Sequence, residues 1–278
     1  MNRFLTAVLL LAGTQSIHAQ YYYNDIIGAG QTNAQYLSFK NNHVKEISAS
    51  SFESDNKPAD GFELTQTLTA DYKKISTAAT YPSAGTSITT HYYNGSQLVR
   101  TEDSTARVAT RSIYTYNVQQ QIAQLSTTTS DAFMNSSLEE AHIWSYQSNG
   151  TPSGMLKIKD GQDTTFVSFI YDEAGNISEE RWTRKGVLLE TWYYYYNDKK
   201  QLSDIVRFND RAKRLLPDYL FEYDETGRVA QMTQIRGNSN YIIWKYVYNA
   251  QGLKVRDLAY NKQKQMVGRI EYSYTYQK

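Results

Sequence analysis

A tyrosine that closes an alternating apolar stretch returns at Tyr93, Tyr116, Tyr146, Tyr171, Tyr196, Tyr223, Tyr248 and Tyr274, at spacings of 23, 30, 25, 25, 27, 25 and 26 residues. A period in that range builds a chain from stacked supersecondary units, each resting on its neighbours, instead of a globule around one cleft. The clearest unit begins with Phe166 to Tyr171, a run of β-branched and aromatic residues that reads as a strand. Asp172-Glu173-Ala174-Gly175 follows as a turn, and Asn176 to Trp182 reads as the return strand. A second turn at Lys185-Gly186 sends the chain back through Val187 to Tyr195. Similar second turns stand at Asp160-Gly161, Asn209-Asp210, Gly237-Asn238 and Asn261-Lys262. Each unit is thus two antiparallel strands, and the units chain into one meander.

The expected fold class is therefore all-β: a long antiparallel meander of about 25-residue, two-strand repeats. Strands lie ~4.8 Å apart, so roughly fourteen of them make a sheet that must coil, twist or close. The form expected here is a twisted or coiled open sheet. Alternation sorts the aromatics onto one face: Trp144 with Tyr146, Phe169 with Tyr171, Tyr194 with Tyr196, Phe221 with Tyr223, Trp244 with Tyr246 and Tyr248. Aligned across strands, these rings form ladders that replace a compact core.

Tyr171-Asp172-Glu173-Ala174-Gly175-Asn176-Ile177 and Tyr223-Asp224-Glu225-Thr226-Gly227-Arg228-Val229 resemble the tyrosine–aspartate (YD, or RHS-type) repeats of bacterial secreted and surface proteins. Tyr248-Asn249-Ala250-Gln251-Gly252-Leu253 is a looser copy, and the copies at Tyr116 and Tyr196 lack the turn glycine. The resemblance covers roughly residues 90–276. It implies a spiralling β-sheet; the toxin-enclosing shells of very long members are out of reach for so few units.

The chain divides into residues 1–19, 20–91 and 92–278. The first segment has Arg3, the apolar run Phe4 to Gly13 and a small residue, Ala19, before Gln20. That is the layout of a secretory signal peptide, so the mature protein is expected to be secreted, periplasmic or at the cell surface. The second segment is expected to cap the repeats: a short helix over Gln31 to Asn42, strands over Val44 to Phe52, Phe62 to Thr69, Tyr72 to Thr80 and Thr86 to Tyr93, and a loop between Ser54 and Gly61. Tyr21 is expected to belong to a loose terminus.

With Cys 0, disulfides and thiol or zinc–thiolate chemistry are excluded. Net charge is −2 over residues 20–131 and +2 over 132–278, with no one-signed field for nucleic acid. Beyond the leader no apolar run is long enough for a transmembrane helix. His43, His91 and His142 have no metal-ligand spacing. Asp172/Glu173 and Asp224/Glu225 pair carboxylates in the manner of glycoside hydrolases, but turn geometry already accounts for them. Neither catalytic residues nor a cofactor are expected, and the reading is non-enzymatic. Of 25 tyrosines, several gather in Trp192-Tyr193-Tyr194-Tyr195-Tyr196, where both strand faces are aromatic. Trp182, Trp192, Tyr194, Tyr196 and Trp244 are therefore the candidate aromatic face for a glycan or protein partner. Two rival readings stand beside this one: an outer-membrane β-barrel, and a glycan-active hydrolase using turn carboxylates.

Overall fold

The computed structural model describes residues 20–82, 85–209, 213–236 and 240–277. The leader read over residues 1–19 lies outside the described residues, as do Asp210, Gly237 and Asn238 of the second turns.

A π-helical turn, Tyr22–Ile27, runs directly into helix α1, Gly28–Asn41. The helix stops where the Asn42 amide and side chain both return to the Ser38 carbonyl, and His43 takes a positive φ of 54°. The chain then enters β1 (Val44–Glu53), β2 (Glu63–Leu68), β3 (Lys74–Tyr81) and β4 (Gly85–Asn94). It continues through β5 (Gln97–Ser104), β6 (Val108–Tyr116), β7 (Ile122–Asp131), β8 (Ser136–Tyr146) and β9 (Pro152–Lys159). Next come β10 (Asp163–Tyr171), β11 (Ile177–Arg184), β12 (Val187–Tyr196), β13 (Leu202–Asn209) and β14 (Arg214–Tyr223). The last four are β15 (Val229–Arg236), β16 (Asn240–Tyr248), β17 (Lys254–Tyr260) and β18 (Met266–Tyr276). The helix and the four strands expected before Tyr93 all form, and β1 to β4 belong to the same sheet as the repeats.

All sequential neighbours pair antiparallel, and β18 returns to β1 from Val44↔Tyr276 to Glu53↔Gly268. The eighteen strands therefore close into a barrel. This corrects the expectation of an open sheet. An open meander would leave β1 and β18 with unpaired backbone groups, and closure removes both edges. At ~4.8 Å per strand and the ~35–45° tilt that closed barrels take, eighteen strands make a barrel ~34–39 Å across if round.

The recurring tyrosines explain how the units register. From Tyr93 to Tyr248 each sits beside a β-bulge, and from Tyr116 onward its ladder partner is the first residue of the next strand, as in Tyr171↔Ile177 and Tyr196↔Leu202. The hydroxyl of the following tyrosine donates to the carbonyl of that partner. Tyr116 reaches Leu98 O at 2.6 Å, Tyr146 reaches Ile122 O at 2.8 Å and Tyr171 reaches Pro152 O. The series continues with Tyr196 to Ile177 O, Tyr223 to Leu202 O, Tyr248 to Val229 O and Tyr274 to Lys254 O, at 2.6 to 3.0 Å. A bulge breaks the ladder and leaves a carbonyl in need of a donor; the next repeat supplies it. Each unit is locked by its successor.

Five of the turns after these tyrosines, and the turn after Tyr260, share one geometry. Asp172 Oδ1 accepts the Asn176 amide, and Asp224 accepts that of Arg228. Asn117, Asn197, Asn249 and Asn261 do the same for Gln121, Gln201, Leu253 and Gln265. The fourth turn position is left-handed throughout. Gly175 and Gly227 take it at φ 82° and 85°, while Gln120, Lys200 and Lys264 take it at 64°, 59° and 60°. The Asx side chain holds the turn even where glycine has been lost.

Candidate functional site in the barrel lumen

The sequence-predicted residues Trp182, Trp192, Tyr194, Tyr196 and Trp244 all face inward. Trp192 is 1% exposed, with Tyr194 and Trp244 also buried, while Trp182 and Tyr196 are half-buried. They come together in one cluster with Phe221, Met232 and Ala259, against Tyr22 and Tyr23 of the N-terminal segment. On the opposite face of β12, Tyr195 remains exposed.

What fills the lumen is that N-terminal segment. Tyr21 stacks on Trp182 with ring centroids 4.4 Å apart, Tyr22 meets Tyr194 edge-on, and Tyr23 stacks on Tyr219. Further along, Tyr36 stacks on Tyr93 at 4.0 Å and Phe39 approaches Tyr274. The partners lie on β11, β12, β14, β4 and β18, around the whole ring, so residues 21–41 cross the barrel interior as a plug. One face of the helix packs on these rings, with Tyr36 donating to the Gly95 carbonyl at the anchor end, while Gln31, Gln35, Leu37 and Lys40 stay exposed. Tyr21, read from sequence as part of a loose terminus, is only 3% exposed. The reading failed because the rings that bury it lie more than 100 residues away.

Two buried polar clusters fasten the plug. Glu180, which is 0% exposed, accepts the Tyr21 and Tyr22 backbone amides at 2.9 and 3.1 Å. It also accepts Trp182 Nε1 at 2.6 Å and the Tyr194 hydroxyl at 2.5 Å. The helical start has no side-chain cap of its own, so a carboxylate from the barrel wall satisfies its first amides. Burial drives the Glu180 pKa from 4.5 up to about 7 against those four donors. In the second cluster Asp25 accepts from Trp144 Nε1 at 3.1 Å and faces His142 Nδ1 at 2.6 Å. His142 Nε2 lies 2.9 Å from Glu140, which meets Lys157 at 2.7 Å. Burial opposes a charge on His142, yet Asp25 and Glu140 outweigh it and raise its pKa from 6.5 to about 9. Burial also works against the Glu140 carboxylate, but His142 and Lys157 bring it down to about 2.

The anchor tyrosines mark one end of the barrel, and the inner wall changes character toward the far end. There the inward positions carry ion pairs: Arg184 with Asp163 at 3.1 Å, and Arg207 with Asp218 at 2.9 Å and Glu190 at 3.3 Å. Hydroxyl pairs join them across neighbouring strands, Thr110 with Thr129 and Ser112 with Thr127. These charged side chains keep between 19% (Lys157) and 47% (Asp163) of their surface accessible, so solvent reaches this half of the wall. The lumen thus combines an aromatic floor at Tyr21 and Trp182 with a polar, hydrogen-bonding wall.

No protein-family model and no curated protein matches the chain in sequence. Among solved structures, a porin-like protein from Bacteroides uniformis is similar at 10% identity, covering 84% of this chain and 97% of its own, with a TM-score of 0.41. The Tc holotoxin pore of Photorhabdus luminescens is similar at 14% identity over 77% of this chain and 15% of its own, with a TM-score of 0.31. A porin-like protein from Bacteroides vulgatus gives 11% identity, 84% and 98% coverage, and a TM-score of 0.24. At these scores the fold assignment rests on the strand pairing itself.

The carboxylates considered for glycoside hydrolysis sit in two separate hairpins, β10–β11 and β14–β15. Asp172 and Asp224 are occupied as turn acceptors. Among the described residues no group of three or more His, Asp or Glu side chains could hold a metal ion. Sequence reasoning missed Tyr21, Tyr22, Tyr23, Asp25 and Glu180. Alternation does place Glu180 on the same face as Trp182, and His142 on that of Trp144, which is the signal that locates them.

Proposed function

We propose that the protein is a non-enzymatic barrel of the extracytoplasmic space or cell surface that binds a glycan or protein segment in the polar half of its lumen. The observation that carries this reading is the solvent-reached wall of Lys157, Arg184, Glu190 and Arg207 above the stacked Tyr21–Trp182 floor. Stacked rings beside forked donors and carboxylates suit sugars and extended peptides alike. The YD-type resemblance adds support, since such repeats serve secreted and surface proteins. A glycan-array and pull-down screen tests it, comparing the protein with an Arg184→Ala/Glu190→Gln variant. A retained ligand should lose about tenfold or more in affinity on losing two wall contacts. Equal retention by the variant would move the ligand out of the lumen.

A second reading, a barrel spanning the outer membrane, is favoured by closure and by outward apolar residues such as Ile143, Leu156, Phe166, Ile170 and Leu220. Against it, Arg181, Glu222, Lys245 and Glu271 face outward within strands, where Arg or Lys at a bilayer midplane costs roughly 2–4 kcal/mol each. The aromatic face also points inward, the reverse of a lipid-facing band. Release as a soluble protein on osmotic shock supports the first reading; partition into detergent supports the second.

A further inference from the structure

The most exposed large apolar side chains of this barrel gather on one arc of its far rim. Among the described residues, every such side chain at least half exposed, Val118 excepted, sits at the far end of the arc from β7 to β13. Phe133 (87%) and Met134 (67%) form the β7–β8 tip. Val187, Leu188 and Leu189 open β12, Phe208 stands on adjoining β13, and Phe166 stands on β10, beyond β11. Clustered exposure of this kind marks an interaction surface. Phe133 and Met134 occupy a hairpin tip, which places them to enter a partner and not to receive one.

Charge selects the partner. The described tips of this arc and of neighbouring β14 carry Arg107, Lys159, Arg184, Lys185, Lys213 and Arg214 against Asp131, Asp160 and Asp163. At the anchor end the turns reverse the balance, with Asp172, Glu173, Asp198, Asp224 and Glu225 against Lys199, Lys200 and Arg228. This arc of the far rim is therefore basic where it is apolar, whereas on the same rim the β1–β2 loop and the first residue of β2 carry Asp55, Asp60 and Glu63 against Lys57. At the exposed tip itself, the Arg107 guanidinium lies 5.5 Å from the Phe133 ring centre and pairs with Asp131. We propose that this rim docks peripherally on an anionic lipid surface, with the β7–β8 and β11–β12 tips entering the headgroup layer and the flanking cations meeting lipid phosphates. The proposal rests on the non-spanning reading above and adds a partner to it.

Co-sedimentation with phosphatidylcholine vesicles, with and without phosphatidylglycerol, tests the proposal. Binding is expected only to the anionic vesicles, weakening as salt is raised. Phe133→Ser/Met134→Ser and Leu188→Ser/Leu189→Ser should each weaken it about tenfold or more, because aliphatic and aromatic insertion is lost. Val118→Ser, at the opposite end, should leave it unchanged. These positions are exposed, so unaltered circular dichroism will show that the variants fold. Absence of binding to anionic vesicles, or unaltered binding by both double variants, overturns docking alone. Light scattering that finds the rim holding two copies of the chain together, with no vesicle binding, also overturns it. Vesicle-bound protein that resists alkaline extraction would instead overturn the non-spanning reading beneath it.

Discussion

Tyr223 performs two tasks with one side chain. Its ring packs in the lumen cluster, and its hydroxyl donates to Leu202 O at 2.7 Å. Tyr223→Phe keeps the ring and removes the bond, so it should cost about 1 kcal/mol in chemical denaturation, as for a typical intramolecular hydrogen bond. Tyr21→Ala should cost about 3 kcal/mol or more, as for other large buried rings, while Tyr195→Ala on the outer face should stay within ~0.5 kcal/mol. Titration sets a second residue-scale test. Glu180 and His142 both hold protons more tightly folded than unfolded. Their contribution to stability is complete below the unfolded values of 4.5 and 6.5, and is lost as pH rises through about 7 and about 9 respectively. The melting temperature should therefore fall between pH 6 and pH 9. Glu180→Gln and His142→Phe should each flatten that fall. Glu140 acts oppositely, its share being lost only as pH drops through about 2.

At the scale of elements, the hairpin is what the sequence displays most openly. Strand alternation, Asx residues and turn glycines are local signals, and they place β11 and β12 within two residues of their observed bounds and β10 within three. The copies without glycine retain the turn because Asn197 and Asn117 supply the same side-chain acceptor. Lys200 nevertheless holds φ 59°, a conformation an L-residue adopts at a cost of about 1 kcal/mol. Lys200→Gly should then raise stability by up to about that amount in thermal denaturation, and Gly175→Ala should lower it. The plug was much less legible. Residues 31–42 read as a helix, but nothing local tells Tyr21, Tyr22 and Tyr23 to enter a lumen. Their partners, Glu180, Tyr194 and Tyr219, are fixed only once the sheet curls round them.

The molecule as a whole depends on a decision that no single repeat makes. Twist and bulges accumulate over eighteen strands until β18 lies against β1, and the aromatic ladders become the lining of an interior. This is why the ladder residues could be read from period and parity while the closed form could not: it depends on strand number and shear summed around the ring. Closure also explains why Trp182, Trp192, Tyr194, Tyr196 and Trp244 face a plug instead of bulk solvent. The reading of a plugged, closed barrel rises or falls on the β1–β18 seam. Ser48 and Ser273 are direct ladder partners there, and the chain contains no cysteine to interfere. Cross-strand Cα atoms lie ~4.5–5.5 Å apart, within disulfide range. Mild oxidation of a Ser48→Cys/Ser273→Cys variant should give an intramolecular disulfide, detected by mass spectrometry of the digested protein. Two free thiols under conditions that cross-link a Thr128→Cys/Arg111→Cys control pair on β7 and β6 would contradict closure.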